Sequence, residues 1–313
     1  MNQTVVKIDN LVKRYRELIA LDHFNLEIKE GEILGLLGPN GSGKTTAINC
    51  LLALLKYDKG DIRIFGEPMT PASYALKRQI GIVPQDVAVF EELTVLENIR
   101  YFCSLYIRER SQREALVQEA LEFVELGDYV KFYPKKLSGG LLRRLNIACG
   151  IVHKPRLIIL DEPTVAVDPQ SRNKILQGIR DLNKQGATII YTSHYMDEVE
   201  QLCSRIVIMD KGLGIAEGTK EELKMMIKTG ETVRLEILDP APGIAEGLKT
   251  LENVYAVTRE DNMLNIRCRK GGHNLISIME YMKANGVTCG RVLSELPTLN
   301  DVFLEMTGKE LRD

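Results

Sequence analysis

The stretch Gly38-Pro39-Asn40-Gly41-Ser42-Gly43-Lys44-Thr45-Thr46 leaves few folds open to this chain. It fits the pattern G-x-x-x-x-G-K-S/T without a gap, between an apolar run at 33–37 and a helix-like run at 47–52. A strand, a glycine-rich turn and a helix start, in that order, make a phosphate cradle. The glycines let successive backbone N–H groups turn inward with no side chain in the way, and the helix N-terminus adds partial positive charge. In such a cradle Lys44 reaches the β- and γ-phosphates and Thr45 can ligate Mg²⁺.

The rest of the chain supplies a sheet to carry that turn. Residues 157–160 and 187–192 are near-continuous apolar runs, as expected of parallel strands buried on both faces. Residues 80–83 and 206–209 read as further strands, and 141–152, 171–185 and 196–202 as helices between them. Alternating strands and helices with crossovers imply an α/β fold with a largely parallel sheet. Alternation at residues 5–11 reads as an edge strand, and residues 21–28 as a second alternating strand. From 94 to 126 apolar residues recur at helical spacing (Val95, Ile99, Phe102, then Leu116, Ala120, Val124), which places a helical insertion at about residues 92–152.

At roughly 100–200 residues per domain, 313 residues suggest two. The boundary is expected near Lys228 to Glu231, giving domains 1–229 and 230–313. Beyond it the order β-α-β-β-α-β suggests a small α+β, ferredoxin-like domain, followed by a terminal helix at 298–306.

Composition excludes several classes. With a formal net charge of -2 there is no global basic field, and nucleic acid is not an expected partner. The longest apolar runs fall far short of the roughly 20 residues of a membrane span. Met1 to Thr4 offer neither a charged nor an apolar leader region, so no signal peptide is expected. Cys50, Cys103, Cys149, Cys203, Cys268 and Cys289 are scattered without a C-x-x-C pair; neither zinc nor a disulfide framework is indicated, and a reducing cytosol is the simplest setting. In that setting the sequon at Asn2 is idle.

Asp161 and Glu162 follow the apolar run at 157–160. A parallel strand delivers its C-terminal residues to the sheet edge that holds the phosphate loop. Asp161 can then hold Mg²⁺, directly or through water, while Glu162 orients or deprotonates the attacking water.

At this point the sequence resembles the ATP-binding-cassette (ABC) ATPases. Leu137-Ser138-Gly139-Gly140 looks like their signature motif, Gln85 stands where their Q-loop glutamine lies, Asp168 resembles the D-loop aspartate, His194 the switch histidine, and Tyr15 the adenine-stacking aromatic. These motifs run in the family's order across residues 5–215. The resemblance implies a mainly parallel sheet with antiparallel edge strands and a helical insertion, and ATP with Mg²⁺ as ligands. It implies that Gln85 ligates Mg²⁺ and senses the transporter, that His194 contacts the γ-phosphate, and that Ser138, Gly139 and Gly140 contact the γ-phosphate bound by a second subunit. Two chains, read as two copies of this one, would close head-to-tail over two ATP molecules.

The single cassette implies a subunit that works with a separate membrane permease, on the cytoplasmic face of the membrane. The ending Leu299-Asn300-Asp301-Val302-Phe303-Leu304-Glu305-Met306-Thr307-Gly308-Lys309 resembles that of drug- and antibiotic-resistance exporters, which implies efflux of a drug, antibiotic or lipid-like cargo. Two other readings stay open on the sequence: an importer ATPase with a regulatory C-terminal domain, and a soluble ATPase not linked to transport.

Two residues depart from the family pattern. Leu141 follows Gly140 where glutamine is common, and Ala166 stands in the D-loop where glycine is more usual. Alanine disfavours positive φ, so a stiffer or differently turned loop is expected there. A functional ATPase is still expected; a chain that binds ATP without hydrolysing it, with Glu162→Gln changing nothing, would overturn this.

Overall fold

Ile33–Leu37, Leu157–Asp161 and Thr188–Ser193, strands in which every residue is buried, form the middle of one sheet in a computed structural model of the chain. Residues 3–239, 242–271 and 274–308 are described; Lys309 of the tail motif and Asn2 of the sequon lie outside them. The six strands run in the order Leu213–Gly218, Arg205–Asp210, Ile33–Leu37, Thr188–Ser193, Leu157–Asp161, Ile80–Val83. All pairs are parallel except the first, so the sheet is α/β with one antiparallel edge. The register sets Leu37 beside Ser193 and Ile208, and Asp161 beside Thr192. The ends that carry the phosphate loop, the acidic pair and His194 therefore share one rim.

A second sheet is antiparallel, in the order Leu18–Lys29, Thr4–Tyr15, Lys59–Ile64, Glu67–Pro68. Thr4–Tyr15, expected at an edge, is an inner strand paired on both sides. Alternation reports that one face is buried; it carries no information on how many neighbours the backbone bonds. The helix Lys44–Leu51 packs between the sheets, where Ala47, Ile48 and Leu51 join Val6, Ile8, Leu26, Ile64, Leu34, Ile159 and Ile190 in one apolar core.

The expected helical insertion holds Val95–Ser104 and Arg110–Phe123, which pack with Gly139–Ile151 around Val95, Ile99, Leu121, Leu126 and Leu145. Thr94 starts it with a capping box: its Oγ1 accepts from Glu97 N at 3.3 Å while Glu97 Oε2 accepts from Thr94 N at 2.8 Å. Buried Asn98 pins the preceding loop, accepting from Phe90 N at 2.8 Å and donating to Phe90 O at 3.0 Å.

The chain divides after Thr219 into two compact units. In the second, the antiparallel order is Val254–Glu260, Met263–Arg269, Thr229–Ile237, Cys289–Glu295, with the helices Ile244–Leu248 and Asn274–Ala284 each crossing to a strand two places away. This is the β-α-β-β-α-β arrangement read from the sequence. Leu213–Gly218 and the helix Lys220–Met226 escaped that reading, because both are short and largely exposed. The helix Leu299–Thr307 opens on a second capping box, Thr298 with Asp301, buries Leu299, Val302 and Phe303, and packs on Lys220–Met226. Glu305 accepts from Lys228 N at 2.7 Å and Thr229 N at 3.3 Å, which fixes the far end of the helix. Among the described residues no helix is long and apolar enough to cross a membrane.

Phe303 is 1% exposed, so Phe303→Ala should cost the second unit about 3–5 kcal/mol, whereas Thr298→Ala, which removes only the cap, should cost about 1 kcal/mol. Urea unfolding with hydrogen exchange followed in residues 229–307 checks both the order and the size.

Candidate active site

The phosphate loop leaves Ile33–Leu37 and enters Lys44–Leu51 through a conformation that needs glycine at its last position. Gly43 has φ +107°, and a Cβ there would lie 2.7 Å from Ala20 O on the neighbouring antiparallel sheet. Lys44, 5% exposed, donates through Nζ to Gly38 O at 2.7 Å and Pro39 O at 3.2 Å. Burial pulls its ammonium below the usual range, and the charges of Glu162 and Asp161 oppose that shift. Ser42 Oγ is buried in the loop with no hydrogen-bond partner among the described residues. A buried orphan hydroxyl in a glycine-rich turn at a helix N-terminus fits a bound phosphate.

The acidic pair sits against this loop. Thr45 Oγ1 donates to Asp161 Oδ2 at 3.3 Å, and Thr192 Oγ1 donates to Asp161 Oδ1 at 2.5 Å. Among the described residues no three His, Cys, Asp or Glu side chains gather as a metal cage. The Thr45–Asp161 oxygen pair is instead of the kind Mg²⁺ uses when phosphate oxygens and water complete its shell. Glu162 ends the strand abruptly, with φ 49°, and its N–H donates to Thr192 O at 3.2 Å and Thr192 Oγ1 at 3.0 Å. Its carboxylate, buried, has Oε1 3.8 Å from Lys44 Nζ and Oε2 3.2 Å from His194 Nδ1. Lys44, Thr45, Asp161, Glu162 and His194 thus form one cluster.

A second cluster comprises the signature and D-loop residues. Ser138 caps Gly139–Ile151, its Oγ accepting from Leu141 N at 3.3 Å. Asp168 caps Pro169–Lys184, its Oδ1 accepting from Ser171 N at 2.9 Å, and that bond holds its carboxyl below the usual range. The two helix starts abut: a Cβ on Gly140 would lie 2.3 Å from Ser171 Oγ and 3.1 Å from Asp168 Oδ2. Ser138, Gly139 and Asp168 are exposed. Ala166 takes φ 58°, so the loop makes the left-handed turn with alanine in place. Leu141 is half-buried against the helical core around Leu145 and Leu121.

The remaining expected residues lie apart. Tyr15 ends its strand 46% exposed, with Lys13 Nζ 4.9 Å from the ring centre. Gln85 is exposed and held by its backbone: Gln85 O accepts from Arg143 Nη1 at 2.8 Å, and Pro84 O accepts from the same atom at 3.2 Å and from Asn146 Nδ2 at 3.3 Å. Sequence reasoning missed Arg143 and Asn146, and it missed Thr192. The signal for the first two was available: polar residues three apart in a helix that is otherwise apolar on its inner face.

Residues 21–165 match the family described as ABC transporter, and residues 218–307 match the family described as ATP-binding protein DrrA1-3-like, C-terminal domain. The chain is 36% identical to the linearmycin resistance ATP-binding protein LnrL of Bacillus subtilis (strain 168), over 99% of this chain and 100% of that one. It is 33% identical to the daunorubicin resistance ATP-binding protein DrrA3 of Streptomyces coeruleorubidus, over 100% of this chain and 98% of that one. It is 31% identical to the Nod factor export ATP-binding protein I of Sinorhizobium fredii (strain NBRC 101917 / NGR234), over 100% and 88%. A dimeric ATP-binding cassette solved in a post-hydrolysis state with ADP and Pi superposes with a TM-score of 0.63 at 30% identity, over 68% of this chain and 98% of that one.

The two positive-φ positions should respond in opposite ways. Ala166→Gly is expected to leave nucleotide affinity unchanged and raise stability by up to about 1 kcal/mol, because Ala166 already sits in the left-handed region. Gly43→Ala, forced against Ala20 O, should abolish nucleotide binding. Thermal unfolding and titration with a fluorescent ATP analogue separate the two.

Proposed function

This chain belongs to the ATP-binding proteins of ABC transporters, ATPases that bind nucleotide, and from that premise we propose that it powers efflux of a drug, antibiotic or lipid-like cargo through a separate membrane permease. The observation that carries the export reading is the double match: the cassette and residues 218–307 both resemble resistance proteins, and the latter region matches the DrrA-like C-terminal family.

In this reading the amides of residues 38–46 and the Lys44 ammonium hold the β- and γ-phosphates, and Tyr15 stacks on the adenine. Thr45 and Asp161, with Gln85 from its loop, are the residues that would hold Mg²⁺. The ion supplies neutralisation of the phosphate charge. Glu162 orients the attacking water and receives its proton on a carboxylate oxygen, while His194 steadies the γ-phosphate. The exposure of the second cluster supports the pairing of two copies. Ser138, Gly139 and Asp168 lie exposed at two abutting helix starts that meet at buried Gly140, suited to the γ-phosphate bound by a second subunit. The clasp of Arg143 and Asn146 on Pro84 and Gln85 ties the signature helix to the loop proposed to sense the permease. The protein then works at the cytoplasmic face of the membrane, attached through that permease.

Glu162→Gln should retain ATP binding and lower turnover about 10²–10⁴-fold. A pull-down should recover a membrane permease, and cells carrying Lys44→Ala should lose resistance to the cargo. Recovery of a substrate-binding protein would indicate import instead, and co-purified ribosomes or DNA a role outside transport.

A further inference from the structure

Behind the two clusters lies a buried carboxylate that neither uses. Glu198, on the helix Met196–Leu202, is 1% exposed. Its Oε2 accepts from Tyr191 OH at 2.6 Å, Thr164 Oγ1 at 2.7 Å and Ser193 Oγ at 3.3 Å, and its Oε1 lies 3.2 Å from Arg172 Nε. These partners come from both sides of the site. Thr164 is four residues before Asp168, and its carbonyl accepts from Val167 N at 3.3 Å. Arg172 lies in the first turn of the helix that Asp168 caps, its N–H bonded to Asp168 O at 2.9 Å. Ser193 immediately precedes His194, and its Oγ accepts from Tyr195 N at 2.9 Å, so the histidine is bracketed. The Arg172 guanidinium also sits 4.9 Å from the centre of the Tyr195 ring, which lies 4.2 Å from the His194 ring.

Burying a carboxylate is costly, and an apolar side chain of similar volume would fill the same space at less cost. What an apolar side chain could not do is fix hydroxyls and a guanidinium from separate segments in one arrangement. Burial and the facing carboxylate hold the Tyr191 phenol well above its usual range, so it remains a donor.

We propose that Glu198 is a positioning residue: it sets the switch loop of His194 and the D-loop of Asp168 together, so that contact with the γ-phosphate at one site and the surface offered to the second subunit change as one. This rests on the ATPase reading above. His194 answers to the nucleotide of its own chain and Asp168 to the neighbouring chain, and the carboxylate between them makes the two inseparable.

The test compares Glu198→Gln, which keeps the shape and removes the charge facing Arg172, with Thr164→Val, which keeps the shape and removes the D-loop donor. Each full-length variant should lower kcat for ATP about tenfold, the size of one charged hydrogen bond, with KM within about twofold. The double variant should lose no more than either single, because both cut the same link. In a Glu162→Gln background, both should also weaken the ATP-dependent dimer seen by size exclusion. Unchanged kcat with a lowered melting temperature would reduce Glu198 to a packing role and overturn the proposal, as would multiplicative losses in the double variant. If Glu198→Gln fails to fold, Thr164→Val alone decides. Absence of hydrolysis by the unaltered protein would defeat the ATPase reading, and the dimer measurement would still decide the link.

Discussion

One hydroxyl holds the chemical rim of this molecule together. Thr192 ends the apolar run of its strand, donates to Asp161 and accepts from Glu162 N, all within a parallel register that puts Asp161 beside it. The neighbouring strand places Leu36 level with Thr192 and Leu37, which leads into the phosphate loop, one residue further along. Every distance that matters to the acidic pair therefore depends on strands whose own side chains are buried on both faces, where a slip by one residue would exchange the two faces and mismatch the packing on each. The rim is rigid because the sheet beneath it has no freedom to shift.

On that rigid rim the left-handed Glu162 makes the geometry work. A strand continuing past Asp161 would carry the next carboxylate across to the opposite face. The turn at φ 49° instead leaves it between Lys44 and His194. The backbone cost of that turn is offset by two hydrogen bonds from Glu162 N to Thr192.

Much of this was legible in the sequence, and the failures have physical causes. Contiguous apolar runs announced the parallel strands, and the glycine spacing announced the loop, because both patterns are local. Thr4–Tyr15 was misplaced as an edge because pairing partners are not local. Arg143 and Asn146 were missed because their targets are main-chain carbonyls some sixty positions away, at Pro84 and Gln85, and a carbonyl leaves no mark on the residue type. Glu198 was missed for a related reason: one acid in the helical segment Met196–Leu202 looks like any solvated one until Tyr191, Thr164 and Arg172 are seen to close over it. Alanine at position 166 suggests a stiffer or differently turned loop, yet the loop takes the left-handed turn, since the cost for alanine is small beside the capped helix and packed strand on either side.

The grip of Arg143 and Asn146 on the loop after Ile80–Val83 has an evolutionary side. Both side chains reach main-chain oxygens, so the grip is blind to the side chains carried by the loop itself. The outward surface of that loop, proposed above to sense the permease, can be rewritten residue by residue while the link to the signature helix stays intact. A motor built this way can change the machine it drives without relearning how to pull.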